Sequence, residues 1–329
     1  LVTLIVTALF HLDLLSSSCW IFCTAMNSTA RFNISSTKGS SNLSGYGTEV
    51  IFVLLFSRAV TGNCLILLVW YRKFLPRKPL FFYAKSIAMA QLLFIANAIL
   101  STVMFQKGDW VYGNFVCKLW RILLESSIIA SLMLLTAISR LHQRAFSSIL
   151  LPPKLNRAKR FAYIIWTFSI LVAAPNLSIY SVKTIGKRRQ CVNDVHWSSE
   201  QLLIYLIFKI ALLSFSAGYF IWSYGAIICI VKSFRVSPAT IGEKARQAQK
   251  KSEKRKITIL IGIMISFYLC LAPVLILKIL QVVVVVDPNV FLVVELLAIS
   301  CSSLTTFLLV FGSKEIKLAF RKLFSKILT

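Results

Sequence analysis

Residues 108–146 read GDWVYGNFVCKLWRILLESSIIASLMLLTAISRLHQRAF. From Asn114 to His142 the side chains are mostly apolar, and the run exceeds the ~20 residues that cross ~30 Å of hydrocarbon at ~1.5 Å per residue. It ends in TAISRLHQRAF, residues 136–146, where Arg140 and Arg144 close the apolar stretch. Such a run reads as a membrane span whose terminal cations reach back to the headgroup layer.

Six further runs of the same kind flank it, at about 48–71, 80–104, 161–182, 200–231, 257–282 and 290–312, beside 114–142 itself. Composition agrees. Of 329 residues, 57% are hydrophobic and the mean hydropathy is +0.77, a level rarely reached by a soluble domain with its polar surface. The fold class expected is an all-α membrane protein: a seven-transmembrane helix bundle with a short amphipathic helix after span seven. A soluble helical protein is the competing reading, and the long apolar runs weigh against it.

The net charge is +26, from 37 Lys and Arg against 11 Asp and Glu. In a soluble protein that balance would point to nucleic acid. Here the charge sits between the apolar runs. The segments 72–79, 140–160, 232–256 and 313–329 hold four, six, nine and five of the basic residues. Positive charge marks the cytoplasmic side of a membrane protein, so the N-terminus is expected outside and the C-terminus inside. The same charge predicts affinity for membrane lipids and no nucleic-acid partner.

The expected organisation is an extracellular N-terminal segment over 1–47, a seven-transmembrane domain over 48–312 and a cytoplasmic tail over 313–329. Asn27, Asn33 and Asn42 each open an Asn-X-Ser/Thr glycosylation sequon, and Asn176 opens a weaker fourth close to the membrane. Residues 1–25 are apolar but lack a basic leader. They read as signal-like, as an eighth apolar segment, or as mistranslated upstream sequence with Met26 as a natural start. In the tail, Ile316, Phe320, Leu323, Phe324 and Ile327 share one helical face, while Lys317, Arg321, Lys322 and Lys326 take the rest. That pattern predicts a helix lying on the inner leaflet. Cys and His show no zinc-ligand spacing, and no phosphate loop or hydrolase motif occurs. Neither a metal, a cofactor nor an enzyme activity is expected.

Several landmarks stand in order along the spans: Gly62-Asn63, Trp110 followed by Cys117, Trp166 with Pro175, Cys191, Tyr224, the stretch FYLCLAPV from Phe267, and VELLAISCSSLTTFLLVFGSK over 294–314. Together they resemble the rhodopsin-like (class A) G-protein-coupled receptors, in the peptide/chemokine- or nucleotide-receptor-like branch, over roughly residues 48–325. The resemblance implies a disulfide between Cys117 and Cys191, with two free buried thiols as the alternative. It implies an Asn63 that bonds backbone across helices. It also implies an extracellular ligand, a heterotrimeric G protein or arrestin inside, and a place in the plasma membrane.

The family's switch positions depart from pattern. Gln91 stands where the family has a sodium-binding Asp, and a neutral amide cannot supply the charge that a buried Na⁺ needs. Ser216 stands at the span-five Pro, and Leu271 at the span-six Trp, although Pro273 remains to kink the helix. The NPxxY motif of span seven is replaced by Thr305, Thr306, Phe307, Leu308 and Leu309. Counting the family's 25 residues from Cys117 places Leu141, His142 and Gln143 at the Asp-Arg-Tyr triplet. Reading Ser139-Arg140-Leu141 as the triplet needs a two-residue deletion, which rotates the rest of the helix by ~200°. Neither reading keeps the Asp, so the family's resting ion pair is lost.

The outer halves of the spans carry unusual charge, and intramembrane charge normally faces a cavity or a partner. The ligand-binding candidates are Arg121 and Glu125 on span three, Lys209 on span five, Lys278 on span six and Glu295 on span seven, with Arg188 and Arg189 in the second outer loop. By resemblance, Arg121 and Lys278 stand where receptors for anionic ligands place cations, and Glu295 where receptors for basic ligands place an acid. The competing reading is internal pairing, Arg121 with Glu125 and Lys278 with Glu295. The function expected is an orphan-type receptor for an anionic small molecule or a peptide that signals through G proteins. The alternatives are a non-signalling seven-span decoy or scavenger, and a degenerate receptor gene product.

Overall fold

The computed structural model describes residues 41–107, 109–146, 154–193, 198–233, most of 261–270, a few positions around them between 258 and 277, and 288–328. The helices are α1 (Ser41–Tyr71), α2 (Pro79–Lys107), α3 (Gly113–Phe146), α4 (Leu155–Ala173), α5 (Ser199–Ser233), α6 (Ile261–Cys270), α7 (Pro288–Gly312) and α8 (Lys314–Leu328). A single helical turn, Asn176–Ile179, leads from α4 into a hairpin of β1 (Tyr180–Ile185) and β2 (Arg188–Asn193). Among the described residues, α1 to α5 are each long and apolar enough to cross a membrane.

Helix α3 is the hub. It packs on α2, α4, α5 and β1, while α1 packs on α2 and α7. Of its candidate span 67% is buried inside the protein, against 17% for α5, so α3 is central and α5 peripheral. Exposed Phe161, Ile164, Ile204, Phe215 and Ile221 are the lipid-facing stripes of α4 and α5. The main core joins Phe82, Leu134, Ile138, Ile165, Ile227, Ile263 and Phe267 across five helices.

Span four begins earlier and ends earlier than the hydropathy pattern over 161–182 predicts. Helix α4 buries Ala158, Ala162, Ile165, Ser169 and Val172, a stripe at helical spacing that starts inside the basic segment. Its basic residues lie off that stripe and mask the helix start. Past Ala173, Pro175 supplies no backbone donor, and by Tyr180 the chain is extended.

At the other end of the bundle, α7 turns through 92° into α8. Ser313 caps α8 by accepting the Ile316 N–H at 3.3 Å. Ile316, Phe320 and Leu323 are buried against Ile66, Val69 and Phe81, and Phe324 packs at their edge. This is the apolar face read from the tail sequence. The side chain of Ile327 lies outside the described residues, as do Asn27 and Asn33. Asn42 falls in the first turn of α1.

Candidate functional site

The hairpin is fastened over the start of α3. Cys117 and Cys191 form a disulfide with Cα atoms 5.7 Å apart. Cys191 pairs with Val182 in the hairpin register, and the Val182 N–H donates to Asn114 Oδ1 at 3.2 Å. The loop before α3 is held by the same hairpin. Arg189 donates its backbone N–H to Asp109 Oδ1 at 2.7 Å and its guanidinium to Oδ2 at 3.1 Å. The Trp110 N–H donates to the Arg189 carbonyl at 2.7 Å. The side-chain hydrogen bond from Arg189, then that from its backbone, holds the Asp109 carboxyl below the ordinary aspartate range. Arg189 is thus an exposed partner of Asp109, and Arg188 is exposed.

Beneath the hairpin, α3 presents Arg121 and Glu125 one turn apart, with different surroundings. Glu125 is buried. It accepts from Lys209 Nζ at 2.8 Å, Asn176 Nδ2 at 2.9 Å and the Tyr205 hydroxyl at 2.9 Å. Lys209 also lies over the Tyr205 ring, 3.8 Å from its centroid. A buried carboxylate is tolerated when a cation and several donors surround it, as here. The ion pair at this level is Glu125 with Lys209, linking α3 to α5, and not the alternative pairing of Glu125 with Arg121.

Arg121 is instead stacked between aromatic rings. Its guanidinium carbon lies 4.2 Å from the Trp120 ring centroid and 4.5 Å from that of Tyr180 in β1. Such contacts hold a cation without neutralising it. Among the described residues Arg121 has no carboxylate partner, and its Nε is buried without a hydrogen bond. Lys278 and the side chain of Glu295 lie outside the described residues.

Sequence reasoning missed two members of this cluster. Tyr205 stands one turn before Lys209 on α5, a spacing that puts both on one face. Asn176 opens a sequon in the sequence, but its side chain is buried against Glu125. Its position just past Pro175 at a span end was the available signal.

The opposite half of the bundle holds the departed switch positions. Gln91 and Thr306 meet across α2 and α7, with Thr306 Oγ1 3.3 Å from Gln91 Oε1 and 3.1 Å from the Ser302 carbonyl. Helices α1 and α7 touch here: a Cβ on Gly62 would lie 2.6 Å from Thr306 Cγ2. Asn63 donates to Ala59 O at 2.8 Å inside its own helix, and not across helices as the resemblance implies. Asn63 Oδ1, Gln91 Nε2, Ser302 Oγ and the Tyr224 hydroxyl are buried with no partner among the described residues. Thr305 donates to the Cys301 carbonyl of its own helix at 2.9 Å, and Leu309 is buried one turn further on. Ser216 meets Tyr268 at 2.7 Å, which ties α5 to α6 beside buried Phe267, while Pro273 is half-buried. Leu271 lies outside the described residues.

Helix α3 runs unbroken through Leu141, His142 and Gln143. Leu141 packs on the main core, and His142 and Gln143 are half-buried. Arg140 is exposed and donates to the Tyr219 hydroxyl of α5 at 2.8 Å. Next to it, Ser223 donates to the Ser139 carbonyl at 3.3 Å. The arginine of the alternative triplet therefore clamps α5.

A central third helix, a hairpin disulfide-bonded to its outer end, polar contacts linking α2 to α7, and a perpendicular helix after α7 define a seven-helix receptor bundle. Residues 62–307 match the 7 transmembrane receptor (rhodopsin family) description, and the chain belongs to that family. Its members are multi-pass membrane receptors and not enzymes. Galanin receptor 2a of Danio rerio is 25% identical over 234 residues, covering 68% of this chain and 62% of that protein. A purinoceptor of Homo sapiens is 25% identical over 171 residues, covering 50% and 45%. C-X-C chemokine receptor type 2 of Bos taurus is 31% identical over 135 residues, covering 40% and 37%. The chain spans 62% or less of the length of these curated relatives.

Proposed function

We propose that this chain is a plasma-membrane receptor, N-terminus outside, for an anionic small molecule. Binding beneath the hairpin is relayed to a heterotrimeric G protein at the opposite end, with arrestin as a second inner partner. One observation carries the ligand class. Arg121 is held between Trp120 and Tyr180 with no carboxylate among the described residues, while the nearby acid, Glu125, is neutralised by Lys209. A half-buried cation already oriented by rings, its Nε without a hydrogen bond, gains from a ligand carboxylate or phosphate. A peptide carrying such a group would meet the same cation. Charge counting between spans supports the orientation.

The inner end favours a second reading, a receptor that captures ligand without activating G proteins. Neither half-buried His142 nor Arg140, which is committed to Tyr219, offers an inward guanidinium at the end of α3. The Tyr224 hydroxyl has no partner among the described residues.

The test is expression at the cell surface with G-protein activation measured across the main subtypes. Nucleoside diphosphates, mono- and dicarboxylates and basic peptides serve as probes. Activation by an anion is the expected result. Uptake of an anion with silence at every G protein would replace the first reading by the second. Retention inside the cell with rapid degradation would point to a degenerate product. Glycan removal that shifts the mobility of surface protein, lost in an Asn27→Gln/Asn33→Gln/Asn42→Gln variant, checks the orientation.

A further inference from the structure

Helix α1 carries a charge that neither the hairpin site nor the switch positions use. Arg58 is the only charged residue between Val50 and Tyr71, inside the apolar run of the first span. Tyr71, Arg72 and Lys73 close that run on the α8 side. Counting back 13 residues from Tyr71 puts Arg58 about 20 Å from that boundary, hence about 10 Å inside the boundary on the hairpin side. A charge at such depth is costly and normally faces a cavity or a partner.

The neighbours of Arg58 place it at the seam between α1 and α7. Leu55, Ala59, Asn63 and Ile66 form the buried face of α1, while Leu54, Ser57, Cys64 and Leu68 are exposed. Arg58 lies between these faces and is half-buried. One turn further along the same flank, Gly62 meets Thr306 of α7. Leu55 and Ala59 pack in one cluster with Ile299 of the same helix. As first and seventh spans, α1 and α7 run the same way. One turn toward the hairpin from the Gly62–Thr306 contact therefore stand Arg58 on α1 and Ser302 and Ser303 on α7.

No carboxylate of the described residues answers this cation. From residue 50 to 108 the chain contains no Asp or Glu, and Glu295 is the only acid in α7. The backbone of Glu295 stands seven residues before Ser302, about 10 Å nearer the hairpin. Among the described residues Arg58 forms no ion pair and no hydrogen bond. Ser302 is 4% exposed, and its Oγ is buried with no partner among the described residues. A cation without a counter-charge and a buried hydroxyl without a partner thus stand at one level of one seam.

We propose that this seam binds the carboxylate of a long-chain fatty acid, with the acyl chain in the surrounding lipid. Depth selects the headgroup. A phospholipid phosphate keeps its charge and stays in the headgroup layer, about 10 Å away. A carboxylic acid enters the hydrocarbon neutral and loses its proton to water on the hairpin side. It then remains as a carboxylate against the guanidinium, which keeps its own proton. One carboxylate has two oxygens, and the forked guanidinium with the Ser302 hydroxyl supplies donors for both. The site is separate from Arg121 on α3, and neither depends on the other.

The test uses the full chain in phosphatidylcholine nanodiscs, with tritiated oleic acid as probe and oleyl alcohol as its neutral match. Saturable binding of one oleate per chain is expected, with oleyl alcohol bound about tenfold more weakly. Arg58→Gln is expected to lower oleate affinity about thirtyfold, Arg58→Lys about fivefold and Ser302→Ala about threefold. Losing an unpaired intramembrane charge costs no stability, so the thermal midpoint of Arg58→Gln should equal or exceed that of wild type. A diazirine analogue of the acid should crosslink to α1 and α7, as read by peptide mass spectrometry. Crosslinks on α3 beneath the hairpin, with affinity unchanged in Arg58→Gln, would assign the acid to Arg121 and overturn the seam site. Equal binding of oleyl alcohol would overturn it too, as would no saturable oleate binding, the result if an acidic span of another protein were the occupant. A midpoint lowered by Arg58→Gln and recovered by adding Glu295→Gln would show an internal ion pair in place of a ligand.

Discussion

The two polar regions of the bundle are built on opposite terms. Under the hairpin, Glu125 is buried yet surrounded by Lys209, Asn176 and Tyr205 within 2.9 Å. Toward α8, Asn63, Gln91, Ser302 and Tyr224 are buried with polar atoms that find no partner among the described residues. A satisfied charge cluster holds helices in one arrangement, whereas unsatisfied neutral groups bind them loosely. The Glu125 cluster therefore ties α3 to α5 and to the turn after α4 through charge, whereas the inner half relies on small contacts such as Gly62 on Thr306.

The sharpest way to break this contrast is to cut the outer cluster. Glu125→Gln leaves Lys209 buried without a counter-charge and is expected to cost about 3–5 kcal/mol. The readout is the thermal midpoint of purified receptor. Pairing it with Lys209→Met restores much of the loss, because two neutral side chains then replace the ion pair. If Glu125→Gln alone were neutral, the Glu125 cluster would not be what ties these helices together.

Cys117→Ala removes the covalent link between α3 and the hairpin, with an expected loss of about 2–5 kcal/mol and reduced surface delivery. Gly62→Ala tests the inner half by crowding. The added methyl meets Thr306, and overpacking of this kind costs about 1–3 kcal/mol. Thr306→Ala in the same chain opens space and recovers it, as a double-mutant cycle would show. Gln91→Leu removes an amide whose Nε2 has no partner among the described residues, so stability is expected to change by less than about 1.5 kcal/mol in either direction.

The smallest effect belongs to Asp109 at the rim. Hydrogen bonds from Arg189 hold its carboxyl below the ordinary value, so this contact stabilises the fold above that value. The contribution fades as pH falls below about 4, and Asp109→Asn removes that dependence. Hydrogen exchange of the hairpin amides between about pH 3 and pH 6 reports it.

Much of the fold was legible because spans announce themselves by length and apolarity, and the α8 stripe by helical spacing. Span four was misplaced because its first turns carry Arg157, Lys159 and Arg160 while the residues buried there, Ala158 and Ala162, are small. The disulfide followed from the landmarks around Cys117 and Cys191. Pairing inside the outer cluster was not legible. Glu125 and Lys209 stand 84 residues apart, and a local reading assigns Glu125 to Arg121 one turn away. Only packing of α5 on α3 brings the lysine in and leaves the arginine to the rings. Asn63 shows the same limit: its amide satisfies its own helix, a choice set by the position of its neighbours and not by its identity.

Substitution of Arg121 asks whether this side chain anchors the anion proposed for the receptor. Dose–response curves for the most potent anionic probe, on surface-matched wild type and Arg121→Gln, should differ by about thirtyfold or more, as expected for losing one partner of a desolvated charge pair. Equal potency in the two chains, or a response confined to basic peptides, would contradict it.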